Sequence, residues 1–145
     1  MTAHDLIEQS DNIRENHPHY WRDEQAQAEL KALWGDAINA QGVFTGREEE
    51  ILYDRDGYKA VVSIGTANGV YAFGSSFETP TQGFSDAPSI WDELFETHAE
   101  ARTAAIGFLL KRLPEAKFPH EHTQREQLDR MRKAVANILR QPTLF

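Results

Sequence analysis

Cysteine is absent from the 145 residues, which excludes disulfide frameworks, thiolate zinc sites and cysteine nucleophiles and suits a reducing compartment. Absent too is any apolar run approaching the roughly 18 residues that a membrane span needs. The opening MTAHDLIEQSDN has neither the basic nor the apolar stretch of a secretory leader. These absences predict a soluble, cytoplasmic protein with no membrane partner. Basic residues are scarce: 15 Lys and Arg stand against 23 Asp and Glu, for a net charge of -8. A protein that grips duplex DNA through its phosphates needs a concentrated basic face. Only residues 116–145 run positive, at +3, against -8 for residues 1–57 and -3 for residues 58–115. Direct binding of duplex DNA is therefore not expected.

What is present fits one folded unit. Hydrophobic residues make up 40% and charged residues 26% of the chain, which is ordinary globular usage, and the length suits a single core. Thr2 and Asp5 ahead of Leu6 and Ile7 can open a short helix that fails before Pro18. From Asp23 to Gln41 the set Ala26, Leu30, Leu33, Trp34, Ala37 and Ile38 recurs at helical steps, and Gly42 stands where a helix ends. Residues Glu50 to Tyr53, the turn Asp54-Arg55-Asp56-Gly57 and residues Tyr58 to Ile64 read as strand, turn, strand. Asn68-Gly69 is the preferred pair for a two-residue hairpin into Val70 to Phe77. Thr79 to Ser89 reads as a long loop. Thr97 and Glu100, then Thr123 and Glu126, have capping-box spacing before apolar stripes. The reading is α+β: a three-stranded antiparallel meander covered by helices, in the order α-α-β-β-β-α-α. The helices at 23–41 and 97–113 are expected together on one face of the sheet, giving two layers. Residues 1–120 form the α+β domain, and residues 121–145 a last helix and a binding tail.

Chemistry is weakly signalled. His17-x-His19 and His120-x-His122 are loop pairs without a carboxylate at helix-fixed spacing, so no metal site is assigned. Glu48, Glu49 and Glu50, and Asp92, Glu93 and Glu96, read as solvated acids or favourable helix-start charges. Phosphate-loop, dinucleotide and nucleophile-elbow patterns are missing. Tyr53, Tyr58, Tyr71, Phe73 and Phe77 read as sheet packing, because a base-stacking sheet would come with more Lys and Arg around it. The sequence predicts a non-enzymatic protein with no catalytic residue and no cofactor. The stripe Leu128, Met131, Val135 and Ile138 either docks on the core or pairs with a second copy of itself.

The sharpest feature is Gln141-Pro142-Thr143-Leu144-Phe145. It resembles the bacterial sliding-clamp-binding motif, a glutamine followed three residues later by leucine and phenylalanine. The resemblance implies that Gln141 bonds at the mouth of an apolar pocket on the clamp while Leu144 and Phe145 fill it. Alternatively, Leu144 and Phe145 fold back on the domain's own core or serve another partner. A second resemblance spans roughly residues 20–113. Ile51 to Tyr58, the Asn68-Gly69 hairpin, the Pro80 to Trp91 loop and the 97–113 helix are similar to an uncharacterised family of small proteins of plasmids and integrative elements. It implies a mobile genetic element as the setting, and it carries no catalytic residues. The leading expectation is thus an accessory protein of a mobile element that docks on the replication sliding clamp. The alternative is an acidic inhibitor, such as an anti-CRISPR, in which Glu48, Glu49, Glu50, Asp54 and Asp56 mimic the phosphates of DNA before a host defence or DNA-processing protein.

Overall fold

The computed structural model describes residues 2–114 and 122–140. Helix α1 (Ala3–Asn16) starts where Thr2 accepts a hydrogen bond from the Asp5 backbone N–H and the Asp5 carboxylate accepts one in return, a reciprocal cap that satisfies two otherwise orphaned donors. Helix α2 (Glu24–Trp34) is capped by Asp23. It ends seven residues earlier than the apolar periodicity predicts, because Gly35 adopts φ 63° and a single 3₁₀ turn, Gly35–Ala37, follows. Ile38 then pairs with Phe44 through an isolated bridge. The apolar rhythm continues past the helix because these residues still serve the core.

Four strands follow in sequential order: β1 (Arg47–Arg55), β2 (Tyr58–Ala67), β3 (Val70–Glu78) and the short β4 (Gly83–Ser85), all antiparallel. Both longer hairpins close through two residues at positive φ, Asp56-Gly57 and Asn68-Gly69, the backbone handedness that matches strand twist. The fourth strand corrects the three-strand expectation: Phe84 inside the predicted loop pairs with Phe77, and their rings stack 6.1 Å apart. A bulge between Ile51 and Tyr53 lets Leu52 and Tyr53 both reach the same core, as one extra residue in a ladder allows.

The helices do not share one face. Successive strand residues point to opposite sides, and Ala60, Val62 and Phe77 on one side pack with Ala105, Ile106 and Leu109 of α3 (His98–Arg112) and with Leu128, Met131 and Val135 of α4 (His122–Arg140). Val70 and Ala72 on the other side pack with Leu6, Leu30, Trp34, Phe44 and Ile90. The architecture is three-layered, with α1 and α2 opposite α3 and α4. Small residues make the second face possible. A Cβ on Gly65 would lie 2.6 Å from the Phe44 side chain, so the ring rests on bare backbone. The stripe on α4 is buried within the chain: Leu128, Met131 and Val135 are all at or below 2% exposure. Thr123 falls inside α4 and does not cap it. Among the described residues no helix is long and apolar enough to cross a membrane.

Candidate functional site

The tail residues Gln141, Leu144 and Phe145 lie outside the described residues, as does His120. The tail follows directly on Arg140, the last residue of α4, a helix fixed to the sheet by the buried stripe above.

The acidic run sits on the edge strand β1, where charge discourages another strand from pairing. Alternation divides it. Glu48 and Glu50 face α3, which presents His98 and Arg102 to them. Glu50 accepts from Arg102 Nε at 2.7 Å and Nη2 at 2.8 Å, and Glu48 Oε2 lies 3.7 Å from His98 Nε2. The match is geometric: two strand residues apart is about 6.8 Å, and four helix residues apart is about 6 Å. The fork of hydrogen bonds from Arg102 holds the Glu50 carboxyl below the usual glutamate range, against a smaller opposing effect of burial. Glu49 points to the opposite face. Asp54 stands beside Lys59 in register, and Asp56, in the turn, accepts from Gln127 Nε2 at 3.3 Å. The five carboxylates therefore occupy two faces and a turn, and two of them face side chains of α3, Glu50 the Arg102 guanidinium and Glu48 the His98 ring.

Two concavities adjoin this strand. On the half of the sheet that α1 and α2 leave uncovered, a groove of about 530 Å³ is lined by Glu49, Lys59, Val61, Ser76, Glu78 and β4. Lys59 lies in register between Asp54 and Glu78, so its charge is balanced within the surface. At the far end of the α3 face, a hollow of about 430 Å³ holds Arg47, Glu48, Thr66, Tyr71 and His98. Here the Tyr71 ring meets His98 edge-on at 6.0 Å. Glu48 and His98 are 71% and 42% exposed, so water screens the pair and supplies none of the dry surroundings that acid–base chemistry uses.

His17 and His19 diverge. The His17 ring is lodged between two carboxylates, with Nδ1 3.2 Å from Asp23 and Nε2 3.5 Å from Glu29. The two carboxylates meet opposite edges of the ring and cannot share an ion with one nitrogen. His19 packs edge-on against Trp21 at 5.4 Å. Among the described residues no group of three or more His, Asp or Glu is arranged to hold a metal. Of the aromatic residues on the meander, Tyr58 and Phe77 are buried in the α3–α4 core, with Tyr53 and Phe73 packed against it. Arg102 and His98 were not singled out by the sequence reading. The signal that could have found them is the pairing of Glu-x-Glu on a strand with His-x-x-x-Arg on a helix.

No family model matches this chain, and no curated protein or solved structure is detectably similar to it.

Proposed function

We infer that this chain is a non-enzymatic accessory protein that docks on the replication sliding clamp through Gln141, Leu144 and Phe145. The observation that carries the reading is the pattern Gln141-x-x-Leu144-Phe145, placed directly after a helix whose own apolar stripe is already buried. Burying one leucine and one phenylalanine contributes about 3–5 kcal/mol before ordering costs, and Pro142 lowers those costs by stiffening the peptide. The hydrogen bonds of Gln141 add about 0.5–1.5 kcal/mol each. In this division of labour α4 is the rigid stalk, the pentapeptide is the plug, and the folded layers are what the plug delivers to the clamp. A partner that instead bound the acidic surface would meet Glu49, Asp54 and Asp56, since Glu48 and Glu50 are engaged by α3.

Titration of a purified bacterial sliding clamp with the full chain and with the Leu144→Ala/Phe145→Ala variant tests the reading. The expected result is micromolar binding that the double substitution weakens about a hundredfold or more, with an unchanged melting temperature. Absence of binding, together with a fall in melting temperature in the variant, would place Leu144 and Phe145 in the domain's own core and end the clamp reading.

A further inference from the structure

The charge of α4 is segregated along its length. Residues 130–140 contain Arg130, Arg132, Lys133 and Arg140 and no acid, while the rest of the chain carries 11 bases and 23 acids. Arg132 is used internally, donating to the backbone carbonyls of Leu113 at 3.1 Å and Pro114 at 3.0 Å. The other three are exposed, and among the described residues they form no salt bridge. At 3.6 residues per turn they fall within about 80° of one another. Their arc lies opposite the buried Leu128, Met131 and Val135. From Arg130 to Arg140 this face runs about 15 Å along the axis, the rise of about four phosphates on one strand of B-DNA. Favourable charge at a helix C-terminus explains bases in the last turn. It does not reach Arg130 and Lys133, two to three turns earlier, because the dipole effect is confined to the last turn.

We propose that Arg130, Lys133 and Arg140 form a contact for the phosphate backbone of duplex DNA, made when the pentapeptide that follows is seated on a clamp threaded by that DNA. The inference rests on the clamp reading for its setting. An acidic body repels free DNA, and three charges alone hold it weakly. Tethering changes this, because a linked second contact acts at an effective concentration of about millimolar. At physiological salt, fields beyond about 8 Å are largely screened, so the stripe feels mainly the charges close to it. Glu126 and Asp129 of α4 and Asp56, held by Gln127 at 3.3 Å, all lie toward the N-terminal end of the stripe, so the positive field is strongest toward residue 140.

The test compares the full chain with the Arg130→Gln/Lys133→Gln/Arg140→Gln variant, each titrated into free clamp and into clamp loaded on a fluorescein-labelled primed duplex. Both proteins are first matched by melting temperature. The wild type is expected to bind the DNA-loaded clamp about tenfold more tightly than the free clamp at about 50 mM salt, with the preference falling as log salt with a slope of about -2.7 for three phosphates. The variant is expected to bind both forms equally, and to bind free clamp as the wild type does. Lack of preference in the wild type, or an undiminished preference in the variant, would overturn the proposal. Should neither protein bind clamp at all, the clamp reading fails by itself. The same pair on bare duplex at about 20 mM salt then decides this inference: weak binding lost in the variant supports it, and no difference overturns it.

Discussion

Replacing Gly74 by alanine should cost this fold far more than one methyl group suggests. Gly74 sits in β3 on the face that carries the α1–α2 layer, and the segment after β4 crosses directly over it. A Cβ there would meet the Asp86 carbonyl, lie 2.8 Å from Ser63 Oγ and 2.9 Å from Pro88 Cδ. The obstacle is space, since the backbone of Gly74 is ordinary strand, and the first atom in the way is itself backbone. The strap 86–88 must lift. It is held by the Asp86 N–H donating to Ser75 at 3.0 Å and by the Phe44 N–H donating to Pro88 at 3.0 Å, and Phe44 in turn fills the hollow over Gly65. Overpacking costs about 1–3 kcal/mol, and each of the two hydrogen bonds weakened about 1 kcal/mol, so about 3–5 kcal/mol is at stake. For a chain of this size that is a drop of about 10 °C or more in melting temperature. Thermal unfolding followed by circular dichroism would measure it, with Ser76→Ala as control, because Ser76 shares the face but lines the open groove. A Gly74→Ala melting temperature within about 2 °C of wild type would refute the strap as a constraint.

Two further outcomes follow from polar contacts. Glu50→Gln should lower stability by only about 0.5–1 kcal/mol at neutral pH, since the pair with Arg102 is a third exposed on each side and solvent screens it. Because the folded-state value for Glu50 is depressed, its contribution is complete above the unfolded value of about 4.3 and is lost as pH falls through the folded one. Melting curves taken from about pH 6 to about pH 3 should therefore show wild type and variant converging, and a gap constant with pH would contradict the assignment. Ser10→Ala should cost about 1–2 kcal/mol, because Ser10 Oγ accepts from Trp34 Nε1 at 3.0 Å in a site where both are almost wholly buried. Chemical denaturation would read the loss, and a neutral substitution would mean that the indole finds another acceptor.

Local structure was legible wherever a few adjacent residues decide it. The Thr2–Asp5 cap, the Asn68-Gly69 hairpin and the start of α3 at Thr97 each depend on side chains three or fewer residues apart. The layering was not legible, because the second sheet face is built from Gly65, Ala72 and Gly74, which carry no hydrophobic signal and act by leaving room for Phe44 and the strap. Helix α2 was read too long because Ile38 and its neighbours stay apolar for a different reason, the bridge to Phe44. The fourth strand was missed because three residues are too few to show alternation, and Phe84 pairs with Phe77, seven residues away, across a turn that holds Pro80. For the candidate site, the Glu-x-Glu run was visible but its division was not. Which face each carboxylate takes depends on a register and a bulge that only the β1–β2 pairing sets.

The two-residue turns at Asp56-Gly57 and Asn68-Gly69 make the pairing of β1, β2 and β3 local along the chain. A meander of β1, β2 and β3 needs contacts between near neighbours only, and hairpins of this kind close in about 1–10 μs, so loop-closure entropy is small for the sheet. The helical layers pack on opposite sides of this sheet, α1 and α2 drawn from residues before it and α3 and α4 from residues after it. Since the sheet separates them, each layer can detach without unzipping the other, and opening on one side is a partial event with its own free energy. Opening on the α1–α2 side is thus expected to leave α4 seated on the opposite face through Leu128, Met131 and Val135.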